Sequence, residues 1–161
     1  MNFLRTKTNR PAIAIMVALS ILTTLMIVQT ANAWNFTVPA TEIQPTNGVF
    51  AVPEASLQDG KAKHFQYKAS PNLWIRFFVV KSVDGQIRAA FDACDVCFSA
   101  KKGYVQQGAN MVCINCGLKF RTDRINEVKG GCNPSPLGRK VQNGQVLISQ
   151  QDVMSGARLF Q

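Results

Sequence analysis

Five cysteines clustered between Cys94 and Cys132 are the feature that most limits what this chain can fold into. Four of them form two CxxC pairs, Cys94–Cys97 and Cys113–Cys116, with fifteen residues between the pairs. Fifteen more residues separate the second pair from Cys132. Two CxxC pairs at this spacing are typical of a structural zinc or iron site. The cluster therefore indicates a metal protein, a disulfide scaffold or a thiol redox protein.

Residues 1–33 have the organisation of an export signal. Residues 1–10 are polar and basic, residues 11–28 are almost entirely apolar, and small residues end the segment at Ala33. This pattern predicts a signal peptide cleaved after Ala33, with an uncleaved signal anchor as the alternative. Basic residues before the apolar run favour export of the body, so we expect it in the periplasm or on the outer face of the bacterial inner membrane. Residues 11–28 would then supply any membrane association.

Export also bears on the state of the cysteines, because thiols outside the cytoplasm can oxidise. Five is an odd number, so a framework made only of disulfides would leave one thiol unpaired. A metal site that uses four or five thiolates does not require cysteines to pair, and we favour it over disulfides.

Length and charge indicate one domain without a nucleic-acid partner. The chain has 161 residues and a formal charge of +9, and its only adjacent basic pairs are Lys101-Lys102 and Arg139-Lys140. Charge spread in this way is typical of a solvated surface biased towards acidic partners or anionic lipid. No basic run with interleaved aromatic residues suggests nucleic-acid binding. With one histidine and no glycine-rich phosphate loop, we expect a metal-binding or electron-transfer protein rather than an enzyme.

The residues before the cluster predict a β-hairpin. Residues 61–69 alternate with a period of two, and residues 73–83 are rich in β-branched and aromatic side chains. Asp84-Gly85 is a strong hairpin turn signal, and residues 86–91 return as the partner strand. This hairpin would lead directly into Cys94.

The remaining segments complete a mainly β fold, with a small α+β domain as the alternative. Residues 103–112 predict a second hairpin that delivers the second CxxC pair, and residues 141–148 predict a last strand around Asn143-Gly144. The final residues, 151–161, are expected to pack weakly. The predicted division is an extended lead-in over 34–60, a cysteine-rich domain over 61–140 and a carboxy-terminal strand and tail over 141–161.

The CxxC pairs carry the expected chemistry. Two thiolates separated by two residues can bind one ion while backbone amides point at the sulfurs. Gly117 directly after the second pair permits the positive φ of a metal-binding turn, and the first pair lacks such a glycine. Four thiolates suit zinc, iron, an iron–sulfur cluster or reduced copper, and spacing does not separate these.

Two further residues are candidate ligands. Cys132 follows two glycines and is either a fifth ligand or a free thiol. His64 is the chain's one histidine and lies on a predicted strand, where an ordinary surface or core role competes with metal ligation. Asp92 and Asp95 flank Cys94 and would either cap turns or tune the ligands.

Several segments together resemble a bacterial family of membrane iron–sulfur-containing proteins, FtrD-like. The segments are Arg76-Phe-Phe-Val-Val-Lys, Asp84-Gly85, Ala90-Phe-Asp-Ala-Cys-Asp-Val-Cys97, Lys102-Gly-Tyr-Val-Gln, Met111-Val-Cys-Ile-Asn-Cys-Gly117 and Gly130-Gly-Cys-Asn-Pro-Ser-Pro-Leu137. The resemblance covers nearly half of the chain and includes all five cysteines. It implies metal or cluster binding, a role in iron uptake across the inner membrane and an iron permease as partner. On this resemblance the candidate ligands are Cys94, Cys97, Cys113, Cys116 and Cys132, with His64 a weaker sixth.

Three functional hypotheses follow. The first is an exported metal-binding accessory protein of iron transport that carries electrons; with one apolar segment, the chain is not expected to be the permease itself. The second is a non-catalytic binding module that zinc holds together. The third is an extracytoplasmic thiol–disulfide oxidoreductase, although neither CxxC pair opens a helix in a βαβ pattern.

Overall fold

A computed structural model describes residues 38–161, so the predicted signal segment over 1–33 lies outside the described residues. Within that range the fold is mainly β, as the sequence predicts. The strands are β1 (Thr41–Glu42), β2 (Val49–Pro53), β3 (Lys63–Ser70), β4 (Leu73–Lys81), β5 (Ile87–Phe91), β6 (Tyr104–Gln107), β7 (Asn110–Cys113), β8 (Lys119–Arg121), β9 (Lys140–Gln142) and β10 (Gln145–Ser149). One α-helix, α1 (Gln150–Ser155), follows, and short 3-10 helices span Glu54–Leu57, Phe98–Ala100, Thr122–Arg124 and Ala157–Leu159. No helix among these is long and apolar enough to cross a membrane.

The strands form three sheets. The first has the order β1-β3-β4-β5, the second β2-β10-β9 and the third β6-β7-β8. The short strand β1 runs parallel to β3, and the other neighbours are antiparallel.

Strand β4 is apolar on both faces because the first sheet is covered on both sides. Its side chains Ile75, Phe77 and Val79 enter a core shared with β2 and β10. The alternate side chains Phe78 and Val80 enter a second core shared with β6 and β7. Successive side chains on a strand point to opposite faces, so the first sheet lies between the other two. The central strand predicted over 73–83 is confirmed for Leu73–Lys81, and Val83 is exposed in the turn that follows.

Both predicted hairpins are present. Asp84-Gly85 turns β4 into β5, and Gly85 adopts a φ of +81°, which glycine tolerates best. Strands β6 and β7 pair from Tyr104 with Cys113 to Gln107 with Asn110. The first hairpin belongs to the central sheet and the second to an outer one, so two layers of the fold supply the cysteines.

The carboxy-terminal residues differ from the weak packing predicted for them. Ser149 caps α1 by accepting a hydrogen bond from the Asp152 N–H at 3.0 Å, and Val153 and Leu159 are buried in the larger core. At Gly156 a Cβ atom would come within 2.3 Å of the Phe91 ring, so the chain there packs directly on the end of β5. Since β10 also pairs with β2, residues 38–161 form one compact unit.

Candidate metal centre

The ends of the two hairpins bring the cysteines together. Strand β5 ends at Phe91, and the chain reaches Cys94 two residues after Asp92. Strand β7 ends on Cys113 itself. Cys132 comes from the loop that follows β8 and joins the same small core as Cys94 and Cys113. All five cysteines are free thiols.

The five sulfur atoms form two overlapping groups. Cys94, Cys97 and Cys132 lie within 4.8 Å of one another, and so do Cys97, Cys113 and Cys116. Cys97 belongs to both groups, and its Sγ lies 3.8 Å from the Sγ of Cys132. A tetrahedral ion with metal–sulfur bonds of about 2.3 Å has sulfur–sulfur edges of roughly 3.8 Å. Each group is therefore sized to be part of one thiolate-bound centre.

Backbone N–H groups point at the sulfurs in both CxxC turns, as expected for such a centre. The Cys97 N–H donates to the Sγ of Cys94 over 3.2 Å. In the second turn the backbone N–H groups of Asn115 and Cys116 act to lower the pKa of Cys113, and that of Leu118 acts to lower the pKa of Cys116. Gly117 has the predicted positive φ, +74°. Its N–H donates a hydrogen bond to the Cys113 carbonyl at 2.8 Å. These amides offset the negative charge of thiolates.

Burial and crowding oppose ionisation of the metal-free centre. Burial raises the pKa of Cys113 to about 11. Partial burial, together with the neighbouring thiols of Cys116 and Cys97, raises the pKa of Cys132 to about 12. The exposed Cys116 differs, because the Leu118 N–H lowers its pKa. A cation bound among these sulfurs would supply the missing positive charge and release the protons.

A buried carboxylate holds the first CxxC segment against the second hairpin. One oxygen of Asp92 accepts the Tyr104 N–H at 2.7 Å, and the other lies 3.3 Å from the Nη2 of Arg76. At Gly103 a Cβ atom would come within 2.5 Å of this carboxylate, and Gly103 has a φ of +71°. Asp92 therefore requires glycine at position 103. The sequence flags Asp92 through its place beside Cys94, but nothing local reveals Arg76 or Gly103 as its neighbours.

His64, the predicted sixth ligand, lies in this network and outside the two thiol groups. Its Nδ1 lies 3.6 Å from Asp92 Oδ2, and this buried atom has no hydrogen-bond partner among residues 38–161. Its ring packs on Phe78, with ring centroids 5.6 Å apart. The structure thus brings the five cysteines together and places His64 behind the carboxylate that precedes Cys94.

Tyr104 and the carboxy terminus complete the surroundings, and sequence reasoning missed both. The buried Tyr104 hydroxyl donates to the Cys132 carbonyl at 2.6 Å, which fixes the loop that carries the fifth thiol. A cavity of about 250 Å³ reaches the sulfurs. Its walls include Cys94, Cys97, Leu159 and Phe160. The alternation of β6 could have flagged Tyr104 as an inward residue, but no sequence signal places the tail here.

The donor set fits a metal ion or an iron–sulfur cluster. Five soft sulfur donors with amides directed at them suit a cation that binds thiolates, and such a cation would offset the raised pKa values of Cys113 and Cys132. Such a centre would be held by Cys94, Cys97, Cys113, Cys116 and Cys132. The fold and the site together define a mainly β protein with a thiol-rich candidate metal centre.

Comparison with known proteins gives the family. The profile described as membrane iron-sulfur containing protein FtrD-like matches residues 57–160, well over half of the chain, and the chain belongs to this family. This confirms the resemblance seen in the sequence. No curated protein sequence matches the chain.

One solved structure with a similar chain is the crystal structure of the quaternary ammonium Rieske monooxygenase CntA in complex with an inhibitor. The two chains are 14% identical, with a TM-score of 0.34. The similarity covers 70% of this chain and 43% of the monooxygenase chain, so this chain spans less than half of that protein. At this level the similarity indicates neither function nor cofactor.

Proposed function

We propose that this chain is an exported accessory protein of bacterial iron transport that binds iron through its five cysteines and carries electrons. The observation that carries the proposal is the convergence of all five thiols on Cys97, which is shared by both sulfur groups. The family description, with its iron–sulfur and membrane terms, supports iron over zinc or copper. An inner-membrane iron permease, or another component of the same transport system, is the proposed partner.

The bound iron would supply one-electron chemistry, either as an ion or as an iron–sulfur cluster. The residues of the chain would supply the rest. Cys94 and Cys113 are buried and anchor the centre, whereas Cys116 is exposed and opens it to the surface. The amides in the two CxxC turns stabilise negative charge on the sulfurs, and the apolar core around Phe78 and Met111 limits access of water. We place the domain on the periplasmic side of the inner membrane, in keeping with the export signal predicted over residues 1–33.

One specific observation favours a second function, thiol–disulfide exchange. Within the second CxxC pair the exposed Cys116 has a lowered pKa, and the buried Cys113 has a raised one. An exposed thiol that ionises readily beside a buried partner is the arrangement that a nucleophilic cysteine requires.

The alternative without redox chemistry is zinc held by the same thiols, with the protein surface serving only to bind a partner.

The test is to purify the full chain anaerobically from its native envelope and to determine metal, acid-labile sulfide, the visible spectrum and the reduction potential. Iron with a reversible visible signal supports the proposal, and sulfide distinguishes a cluster from a single ion. Colourless protein with stoichiometric zinc would instead establish the zinc-held module. Metal-free protein with a titratable disulfide between Cys113 and Cys116 would establish the oxidoreductase.

A further inference from the structure

Around the cysteine centre the acidic side chains are paired with arginines, whereas several basic side chains have no acidic partner among residues 38–161. Every carboxylate between residues 92 and 132 lies close to an arginine. The pairs are Asp92 with Arg76 (3.3 Å), Asp95 with Arg158 (2.8 Å), Asp123 with Arg121 (2.7 Å) and Glu127 with Arg88 (2.7 Å). No carboxylate of residues 38–161 lies within 4.0 Å of the remaining basic groups of that segment, which are Lys101, Lys102, Lys119, Arg124 and Lys129. All five are exposed, so the segment that carries the thiols presents net positive charge to solvent.

Two large apolar side chains are exposed beside the same thiols. Val96 lies between Cys94 and Cys97 and is 60% exposed. Leu118 is 53% exposed, and its carbonyl accepts the Cys113 N–H at 3.0 Å. Because Cys97 and Cys116 belong to one sulfur group, Val96 and Leu118 flank one centre. A small apolar contact area with charged groups around it is typical of the short-lived interfaces of electron-transfer proteins.

We propose that this face, comprising Val96, Leu118, the exposed Cys116 and the surrounding lysines, is the docking surface for the acidic face of a protein electron donor or acceptor. This proposal rests on the proposed function and specifies the kind of partner. The charge selects an acidic partner, since unpaired lysines steer carboxylates and repel basic surfaces. A protein rather than a lipid surface is favoured because Val96 and Leu118 are exposed within two residues of Cys97 and of the exposed Cys116, which would give a redox partner a short electron path.

The step itself is a one-electron exchange. With iron bound, the centre would give one electron to an acceptor partner, so that the centre is oxidised by one electron and the partner reduced by one, or would take one electron from a donor partner. No bond forms or breaks, and no proton has to move.

Small redox ions of opposite charge can probe this face. The iron-loaded, reduced full chain is mixed in a stopped-flow instrument with hexacyanoferrate(III), an anion, or with hexaammineruthenium(III), a cation. We expect the rate constant with the anion to fall about tenfold or more between roughly 10 and 200 mM ionic strength, and that with the cation to rise. Equal salt dependence for both probes would overturn the proposal.

Matched charge reversals separate this face from net charge. Lys102→Glu/Lys119→Glu changes the proposed face, whereas Lys61→Glu/Lys140→Glu makes the same change in net charge at exposed lysines outside the cysteine segment. We expect the first variant to react faster with the cation than with the anion, and the second to keep the faster reaction with the anion. Equal effects of the two variants would show that net charge alone acts, and would contradict the docking surface.

A binding measurement tests the same surface without a redox centre. Fluorescence anisotropy measures the binding of labelled poly-L-glutamate to the full chain. Co-sedimentation measures the binding of the full chain to vesicles that contain phosphatidylglycerol. We expect poly-L-glutamate binding to weaken about tenfold or more in the Lys102/Lys119 variant and little in the control. Vesicle binding that depends on these two lysines, without poly-L-glutamate binding, would replace the protein partner by a lipid surface. Failure to bind iron would contradict the proposed function, while this measurement would still decide the docking surface.

Discussion

The two CxxC turns have the same spacing but different surroundings. The first follows a strand of the central sheet, and one of the two residues inside it, Asp95, is paired with Arg158. The second follows a strand of an outer sheet, ends on the exposed Cys116 and turns through Gly117. In each turn the first cysteine is buried and the second is more accessible.

This difference shows how one spacing pattern can supply two roles. Cys97 lies where the two sulfur groups meet, so the first turn joins both halves of the centre. Cys116 belongs to one group only and has a lowered pKa, so the second turn forms the edge that faces solvent. The spacing rule marks both turns as candidate ligand sources, but only the assembled fold shows that Cys97 belongs to both sulfur groups and that Cys116 is exposed.

Removal of the shared sulfur should have the largest effect. We expect Cys97→Ser to lower the apparent iron affinity by more than about 100-fold, because even residues that only support metal ligands cost about 10–100-fold when they are replaced. Cys116→Ser, the matched variant in the second turn, should cost less, since the group of Cys94, Cys97 and Cys132 stays complete. Metal titration with a competing chelator measures both, and equal losses would refute the junction role of Cys97.

Metal binding should depend steeply on pH. Cys113 and Cys132, with pKa values raised to about 11 and 12, are protonated at neutral pH and must lose their protons to become ligands. Because at least these two protons are released, we expect the apparent metal affinity to rise by about 100-fold or more per pH unit between roughly pH 6 and 8. Chelator competition at several pH values checks this expectation, and an affinity that does not change over that range would contradict it.

The raised pKa of Cys113 has the opposite effect on the metal-free protein, whose stability should fall as the pH rises. A thiol whose pKa is higher in the folded state than its ordinary value of 9.0 stabilises the fold below pH 9. That contribution is lost as the pH rises through about 11, where Cys113 ionises in the folded protein. Denaturant unfolding of metal-free protein should therefore show lower stability at pH 11 than at pH 8, whereas a Cys113→Ala variant should show a smaller decrease.

The glycine before Tyr104 should be sensitive to any side chain. Gly103→Ala adds a methyl group within 2.5 Å of the Asp92 carboxylate and also strains a positive φ. Gly108→Ala is a matched control in the same hairpin, because its φ is +57° and nothing lies within 4 Å of the added atom. Both variants incur backbone strain, and we expect Gly103→Ala to cost a further 1–3 kcal/mol or so through overpacking. Equal free energies of unfolding would show that Asp92 does not require this glycine.

The two aspartates beside Cys94 should also contribute unequally to stability, and we expect the difference between them to be smaller than the difference between the two glycine variants. Asp92→Asn keeps the shape but removes the charge next to Arg76 and His64, and should cost about 1–3 kcal/mol of unfolding free energy. Asp95→Asn removes only the exposed pair with Arg158 and should cost less than about 1 kcal/mol. Thermal or urea unfolding of the two variants provides the comparison; a larger loss in Asp95→Asn would reverse the ranking of the two environments.

Local signals account for the parts of the fold that the sequence predicts well. The turn at Asp84-Gly85 and the positive φ of Gly117 depend on the conformational freedom of glycine, which is visible in the residue itself. The apolar run of β4 and the alternation of β3 likewise fix strands without knowledge of their partners. The five candidate thiols are evident from spacing alone.

The structural features that could not be predicted from the sequence depend on contacts between distant segments. Burial of Val153 and Leu159 needs the end of β5 at Phe91, so residues that look polar and irregular become a capped helix against the core. The place of Cys97 in both sulfur groups likewise appears only when the two hairpins and the Cys132 loop are assembled.

X-ray absorption at the iron edge of the anaerobically purified full chain tests the central claim, that the five cysteines form one iron centre, most directly. We expect a first coordination shell of sulfur at about 2.3 Å, with Cys97→Ser losing the iron signal. An iron–iron vector in the same spectrum would identify a cluster, and its absence a single ion. A first shell of nitrogen and oxygen, or iron binding that persists without Cys97, would contradict the assignment of the centre to these thiols.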